Sequence, residues 1–228
     1  MALRLVSAGA AQALVGAIAS REGMEVQGAF GAVGAMIEKF RGPGACDVVI
    51  LTHSQIAGLV AERRVVEGSA SDLGTVATAI AVREGDAVPD VASEETLRAA
   101  LLAADSVFFP DPSKATAGIH FAKVLERLGV HAALEKRLRT FPNGATTMRN
   151  MAQEPGHPIG CTQATEILAT PGIRFVAPLP RGFELETIYT AAVSANAVNE
   201  AEARRFVAAI SGVSSRELRE QSGFGLSP

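Results

Sequence analysis

Cysteine, aromatic side chains and long apolar runs are all scarce in this chain, and each scarcity excludes a class of protein. The two cysteines, Cys46 and Cys161, stand far apart and outside any CxxC spacing. Neither a disulfide framework nor a structural zinc site is expected, and no metal or cofactor is called for. Aromatic residues make up 5% of the chain, and 21 Lys and Arg stand against 24 Asp and Glu, for a net charge of −3. No basic stripe tracks a phosphate backbone, so nucleic acid is not an expected partner. Arg, Glu, Lys or Gly interrupts every apolar run short of the roughly 20 residues that span a bilayer, so no direct membrane insertion is expected. No GxSxG, HExxH, Walker or GxGxxG pattern appears in a supporting context, and no internal repeat or low-complexity segment is present. The start, Met1 to Val6, lacks the basic-then-apolar pattern of a leader and reads directly as a strand. Two expectations follow: periplasmic if a leader has been removed, cytoplasmic if Met1 is the native start.

What is abundant is alternation. With 228 residues, 48% of them hydrophobic, the chain can fill one large α/β domain or two smaller lobes. Strands are expected over residues 3–7, 24–30 and 47–51, with helices over about 10–21, 32–40 and 54–62 between and after them. Leu14, Ile18 and Ala11 share a face of the first helix, and Gly42-Pro43-Gly44 closes the second. The run DVVIL at 47–51 has the continuous apolar character of a strand covered on both faces. The rhythm recurs with strands at 76–82, 107–109, 139–141, 159–162, 173–177 and 187–194. Helices are expected from Ser93 as N-cap, over 116–128, from about Ala145, and over 200–210 with Phe206 and Ile210 inward. The tail, residues 224–228, is expected to be loose.

The motif order is similar to that of bacterial extracellular solute-binding proteins typified by the periplasmic molybdate-binding protein. The matching stretches are SAGAAQAL (7–14), AFGAVGAM (29–36), CDVVIL (46–51), DPSKATAGIHFAKVLERLGV (111–130), IGCTQATEIL (159–168) and YTAAVSANAVNEAEARRFVAAI (189–210). The resemblance implies an α/β, two-lobed type II periplasmic-binding-protein-like fold. One discontinuous lobe would comprise about residues 1–78 plus 190–228 and the other 79–189, with hinge crossovers near 78–82 and 187–193. It also implies a small anion held in an interlobe cleft and a membrane transporter permease as partner; the oligomeric state is left open, with a monomer favoured.

In such a cleft the expected instrument is the helix N-terminus, whose unpaired N–H groups and positive dipole end attract anions. Small residues mark four helix starts: Gly9 with Ala10, Gly31 to Val33, Thr116 with Ala117 and Gly118, and Gly144 to Thr146. The expected ligand-binding set is Gly9, Ala10, Val33, Thr52, His53, Thr116, Ala117, Ala145, Thr146 and Gln163. Molybdate binders of the family place serines at the first two starts and a tyrosine at the third site. Here Gly9 (or Ala10), Val33 and Gln163 stand there, which disfavours a bare oxyanion and suits a carboxylate or hydroxy acid. Lys114 and Arg149 are cations near helix starts, His120 is expected to take a surface or packing role, and Cys161 to act as a small buried hydrophobe.

Two functions follow. The first is a solute-binding protein for a carboxylate-bearing anion. The second is an enzyme on the same scaffold, since a few relatives isomerise small polycarboxylates, aconitate isomerase among them. His53 would be its base, although the sequence offers His53 no evident acid/base partner.

Overall fold

The structure, a computed structural model, describes residues 2–225. Strand β1 (Leu3–Ala8) passes through a 3₁₀ turn (Gly9–Ala11) into α1 (Gln12–Glu22), then β2 (Val26–Gly31), α2 (Val33–Arg41), β3 (Val48–Thr52) and α3 (His53–Ala61). The long β4 (Ser71–Arg83) precedes α4 (Glu94–Ala103), β5 (Ser106–Pro110), α5 (Thr116–Arg127) and α6 (His131–Leu134). Next come β6 (Leu138–Phe141), α7 (Gly144–Met151), β7 (Pro158–Gln163), α8 (Ala164–Leu168) and β8 (Ile173–Pro178). Strand β9 (Glu186–Val193), α9 (Glu200–Ser211) and α10 (Arg216–Gln221) close the chain. Two compact units result: unit 1, Met1–Val76 with Thr187–Pro228, and unit 2, Ala77–Glu186.

In unit 1, β1 lies between β2 and β3 and is parallel to both, and β9 runs antiparallel to β3. Val48, Val49, Ile50 and Leu51 are all fully buried, as a strand covered on both faces requires. Helix α1 presents Leu14 and Ile18, four residues apart and both buried, to this core. Full burial of each such side chain contributes about 1.5–3 kcal/mol. The helix ends at Gly23, whose φ of 62° is the left-handed conformation in which its N–H reaches back to the carbonyls of Ala19 and Ser20. Phe206 and Ile210 of α9 face inward as the periodicity predicts.

In unit 2, β5 lies between β6 and β7, parallel to both, while β7 and β8 flank the second half of β4 antiparallel to it. The core gathers Leu97 and Leu101 of α4, Phe109, Phe121 and Leu125 of α5, Leu134 and Cys161. Phe109 and Phe121 meet edge to face at 5.5 Å. Helix α4 opens with a capping box: Ser93 accepts from the Thr96 N–H and the Thr96 hydroxyl accepts from the Ser93 N–H. Burial raises the Cys161 thiol pKa well above its ordinary value, so the residue behaves as the expected small hydrophobe.

Three local expectations are corrected. The first helix begins at Gln12, because a 3₁₀ turn over Gly9–Ala11 takes the first residues. Helices α6, α8 and α10 are additions; at four to six residues each is too short for a 3.6-residue period to show. Phe224 and Gly225 are not loose. Phe224 is buried, its ring stands edge-on 6.5 Å from Tyr189, and Gly225 pairs with Thr75. The rest of the expected loose tail, and Met1 of the first strand, lie outside the described residues.

Parallel neighbours deliver their helices to one edge. β1, β2 and β3 place the Gly9–Ala11 turn and the starts of α2 and α3 at the carboxyl edge of unit 1. β5, β6 and β7 do the same for α5, α7 and α8 in unit 2. That edge is where open α/β sheets bind ligands.

Candidate functional site

On unit 1, register fixes the neighbours: Ala8 pairs with Gly31, so Gly9 and Ala32 leave the sheet side by side. Ala10 and Val33 are buried, at 4% and 7% exposure. Neither the 3₁₀ turn, nor α1, nor α2 has a capping side chain; their N-cap residues are Ala8, Ala11 and Ala32. Thr52 is the N-cap of α3 but does not cap it, its hydroxyl standing 3.3 Å from that of Ser54 instead. No side chain caps these starts, and at the first of them the Gln12 N–H pairs with the Gly9 carbonyl oxygen.

His53 opens α3, and the structure supplies the partner the sequence did not. Its Nδ1 is 3.0 Å from Oδ1 of Asp72 on β4. The Thr190 hydroxyl, from β9, donates to the same Oδ1 at 2.5 Å and lies 3.4 Å from Nδ1. His53 and Asp72 are half-exposed, with side-chain exposures of 59% and 48%, and Thr190 is buried. These residues are 19 and 137 positions from His53, so no local pattern announces them.

On unit 2, the loop into α5 is shaped by Asp111, whose Oδ1 accepts from the Ser113 hydroxyl and from the N–H groups of Ser113 and Lys114. Hydrogen bonds from the Ser113 side chain and backbone, partly opposed by desolvation, hold the Asp111 carboxyl below its usual range. Helix α5 starts without a capping side chain, at Ala115, with Thr116 half-buried and Ala117 buried. Gln163 ends β7, is the N-cap of α8, and is 3% exposed. Its Oε1 and Nε2 are both buried without a hydrogen-bond partner, and so is the hydroxyl of Thr78, which stands opposite it in the β4–β7 register. A buried amide with neither end paired is costly, about 1–3 kcal/mol on protein scales, and calls for a partner.

The α7 start is different. Asn143 caps it, accepting from the Thr146 N–H at 2.8 Å, and the Thr146 hydroxyl accepts from Arg149. Glu166 fills what remains. Its carboxylate accepts from the Thr162 hydroxyl at 2.7 Å. A Cβ on Gly144 would fall 1.8 Å from its Oε2, so only glycine admits this approach. Burial raises the Glu166 carboxyl pKa, opposed by hydrogen bonds from Thr162 and from the backbone of Ala145, Gln163 and Gly144. The donors expected from Ala145 and Thr146 therefore already serve this chain's own side chains. Sequence reasoning passed over Glu166; the available signal was an acid three residues after the N-cap Gln163, the spacing of a reciprocal cap. His120 packs as expected, its Nε2 2.7 Å from the Phe183 carbonyl oxygen.

Two α/β units with helix starts gathered at the carboxyl edges of parallel strands define a protein of the periplasmic-binding type. The chain belongs to the bacterial extracellular solute-binding protein family, whose model matches residues 3–225. The periplasmic molybdate-binding protein of Azotobacter vinelandii has the same fold, with a TM-score of 0.77 at 16% identity over 99% of this chain and 100% of that one. The sulfate-binding protein SubI of Mycobacterium tuberculosis matches with a TM-score of 0.72 at 18% identity, over 98% of this chain and 86% of that one. An aconitate isomerase from a Pseudomonas species is 28% identical over 181 residues, 78% of this chain. The match spans 66% of that enzyme's length, just under two thirds. Among the described residues, no helix is long and apolar enough to cross a membrane.

Proposed function

We propose that this solute-binding protein captures a small carboxylate-bearing anion and hands it to a membrane transporter outside the cytoplasm. Gln163 carries the reading. An amide with a free donor and a free acceptor suits a ligand that presents a carboxylate together with a hydroxyl or second carboxyl group. The uncapped starts at Gly9 to Ala11, Val33 and Thr116 to Ala117 supply neutral N–H donors for a charged head. Val33 offers an isopropyl group where an oxyanion would need a hydroxyl, and a carbon skeleton packs against it. Ala145 and Thr146 contribute shape more than donors, because Asn143 and Glu166 face their amides.

Competitive calorimetry with molybdate, sulfate, malate, citrate and aconitate, on the unmodified chain and on Val33→Ser, tests this. Carboxylates should bind and oxyanions should not, and Val33→Ser should gain oxyanion affinity. Tight molybdate binding by the unmodified chain would refute the ligand class.

A second reading, isomerisation of a small polycarboxylate, is favoured by two observations together: the likeness to aconitate isomerase and the acidic partner of His53.

A further inference from the structure

We infer that Asp72 and Thr190 are positioning residues that hold His53 as a one-sided base, making it the proton-transferring group of this chain. The inference rests on the second reading above and gives that reading its residues.

Three elements of unit 1 converge on one oxygen. Oδ1 of Asp72 is 3.0 Å from Nδ1 of His53 and 2.5 Å from the Thr190 hydroxyl oxygen. An ionised carboxylate only accepts, so both partners must donate to it. The proton of the neutral imidazole therefore sits on Nδ1, and Nε2 carries the lone pair. Among the described residues, no group hydrogen-bonds Nε2, and more than half of the His53 side chain is exposed. Thr190 is 2% exposed in β9, so its hydroxyl is a fixed anchor that holds Asp72 in place. His53 is also the first residue of α3, a nine-residue helix whose N-cap Thr52 does not cap it. Charge developing on a substrate beside Nε2 would meet the positive end of that helix. A surface ion pair needs none of this: it has no use for a buried hydroxyl on β9, nor for a ring placed at an uncapped start.

The chemistry this arrangement serves is an allylic proton shift in an unsaturated carboxylate. The C–H bond of a methylene beside the double bond breaks, its proton goes to Nε2, and its electron pair spreads over the allylic system and the attached carboxylate. Asp72 balances the imidazolium that forms. A proton then returns to the far carbon and the double bond moves one place, with no net oxidation or reduction.

The test uses the full chain with trans-aconitate in D₂O, following deuterium entry into the ligand by NMR and its binding by calorimetry in parallel. The unmodified chain should bind and exchange. His53→Gln should lose exchange even when the ligand is raised to saturation, whatever its change in affinity. Asp72→Asn should cut kcat by about 100-fold or more with KM little changed, and should move the acid limb of the pH–rate profile. Thr190→Val should do the same more weakly, and Asp72→Glu should recover part of the rate. Binding by the unmodified chain without exchange overturns the inference and leaves the binding reading intact. Exchange that survives in His53→Gln, or an Asp72→Asn rate and pH profile like the parent's, also overturns it. Absence of both binding and exchange overturns the inference and counts against a tricarboxylate ligand together.

Discussion

Replacing Gln163 with leucine should make the empty protein more stable and weaken its grip on a ligand. In the structure Gln163 is 3% exposed, and its Oε1 and Nε2 are buried without a hydrogen-bond partner. Burying such a group unpaired costs about 1–3 kcal/mol, whereas a leucine of similar volume carries no polar atom to satisfy. Gln163→Leu should therefore recover about 1–3 kcal/mol in the absence of ligand. For a chain of this size each kcal/mol moves Tm by about 2–4 °C, so a rise of roughly 2–12 °C is expected. The same substitution removes the only side chain in the expected binding set that both donates and accepts through an amide. Affinity for any carboxylate that binds the parent should fall about tenfold or more, the equivalent of one lost hydrogen bond to a charged group. Scanning calorimetry on ligand-free protein and titration calorimetry on the same preparations give both numbers. A Tm that falls in Gln163→Leu, or an affinity equal to the parent's, would refute the argument, because either means the amide is satisfied without ligand. Thr78→Val is the companion, since its hydroxyl is likewise buried and unpaired. Its stabilisation should be smaller and in the same direction.

Gly144→Ala should cost about 1–3 kcal/mol in urea denaturation, because the new methyl would lie 1.8 Å from Glu166 Oε2 and 2.1 Å from the Thr162 hydroxyl oxygen, both buried. Glu166→Gln should change the pH dependence of stability. The native pKa of Glu166 is raised, so above the ordinary value of 4.5 the native state holds more protons than the unfolded one and stability falls as pH rises toward the native value. The variant lacks that fall, so its stability relative to the parent should climb across that window; a pH-independent difference would contradict the burial argument. Asp47 has the opposite sign. Burial opposes its ionisation, but hydrogen bonds from the side chain and backbone of Arg4 and from the Val198 N–H outweigh that and lower its pKa. Its contribution is present above the ordinary value of 3.8 and lost as pH falls through the native one, so Asp47→Asn should flatten the acid limb of a stability profile. Ser93→Ala should cost about 1 kcal/mol by removing one half of the α4 capping box.

The sequence by itself determined the α/β alternation, the family and most of the helix starts. These are properties of nearby residues: a buried β-branched run such as Val48 to Leu51, a Leu14–Ile18 stripe, a Ser93 cap. Each is written within one or two turns of chain, and residues that close in sequence have few ways to arrange themselves. The short helices α6, α8 and α10 escaped because four to six residues cannot display a period. Gln163 stands out in the sequence as an expected ligand-binding residue through its place in the family order, but that its amide lacks partners is a property of packing. The remaining features belong to tertiary structure alone. Only the register of parallel strands sets Gly9 beside Ala32. Only the meeting of β7, α7 and α8 puts Glu166 at the α7 start, turning the Ala145 N–H from a free donor into an occupied one, whereas the Thr146 N–H is taken locally by Asn143. Only the assembly of β4, β9 and α3 brings Asp72 and Thr190 to a histidine 19 and 137 residues away. Local sequence dictates which backbone groups are left unpaired at a helix end, and long-range packing decides whether the protein pairs them itself or leaves them open.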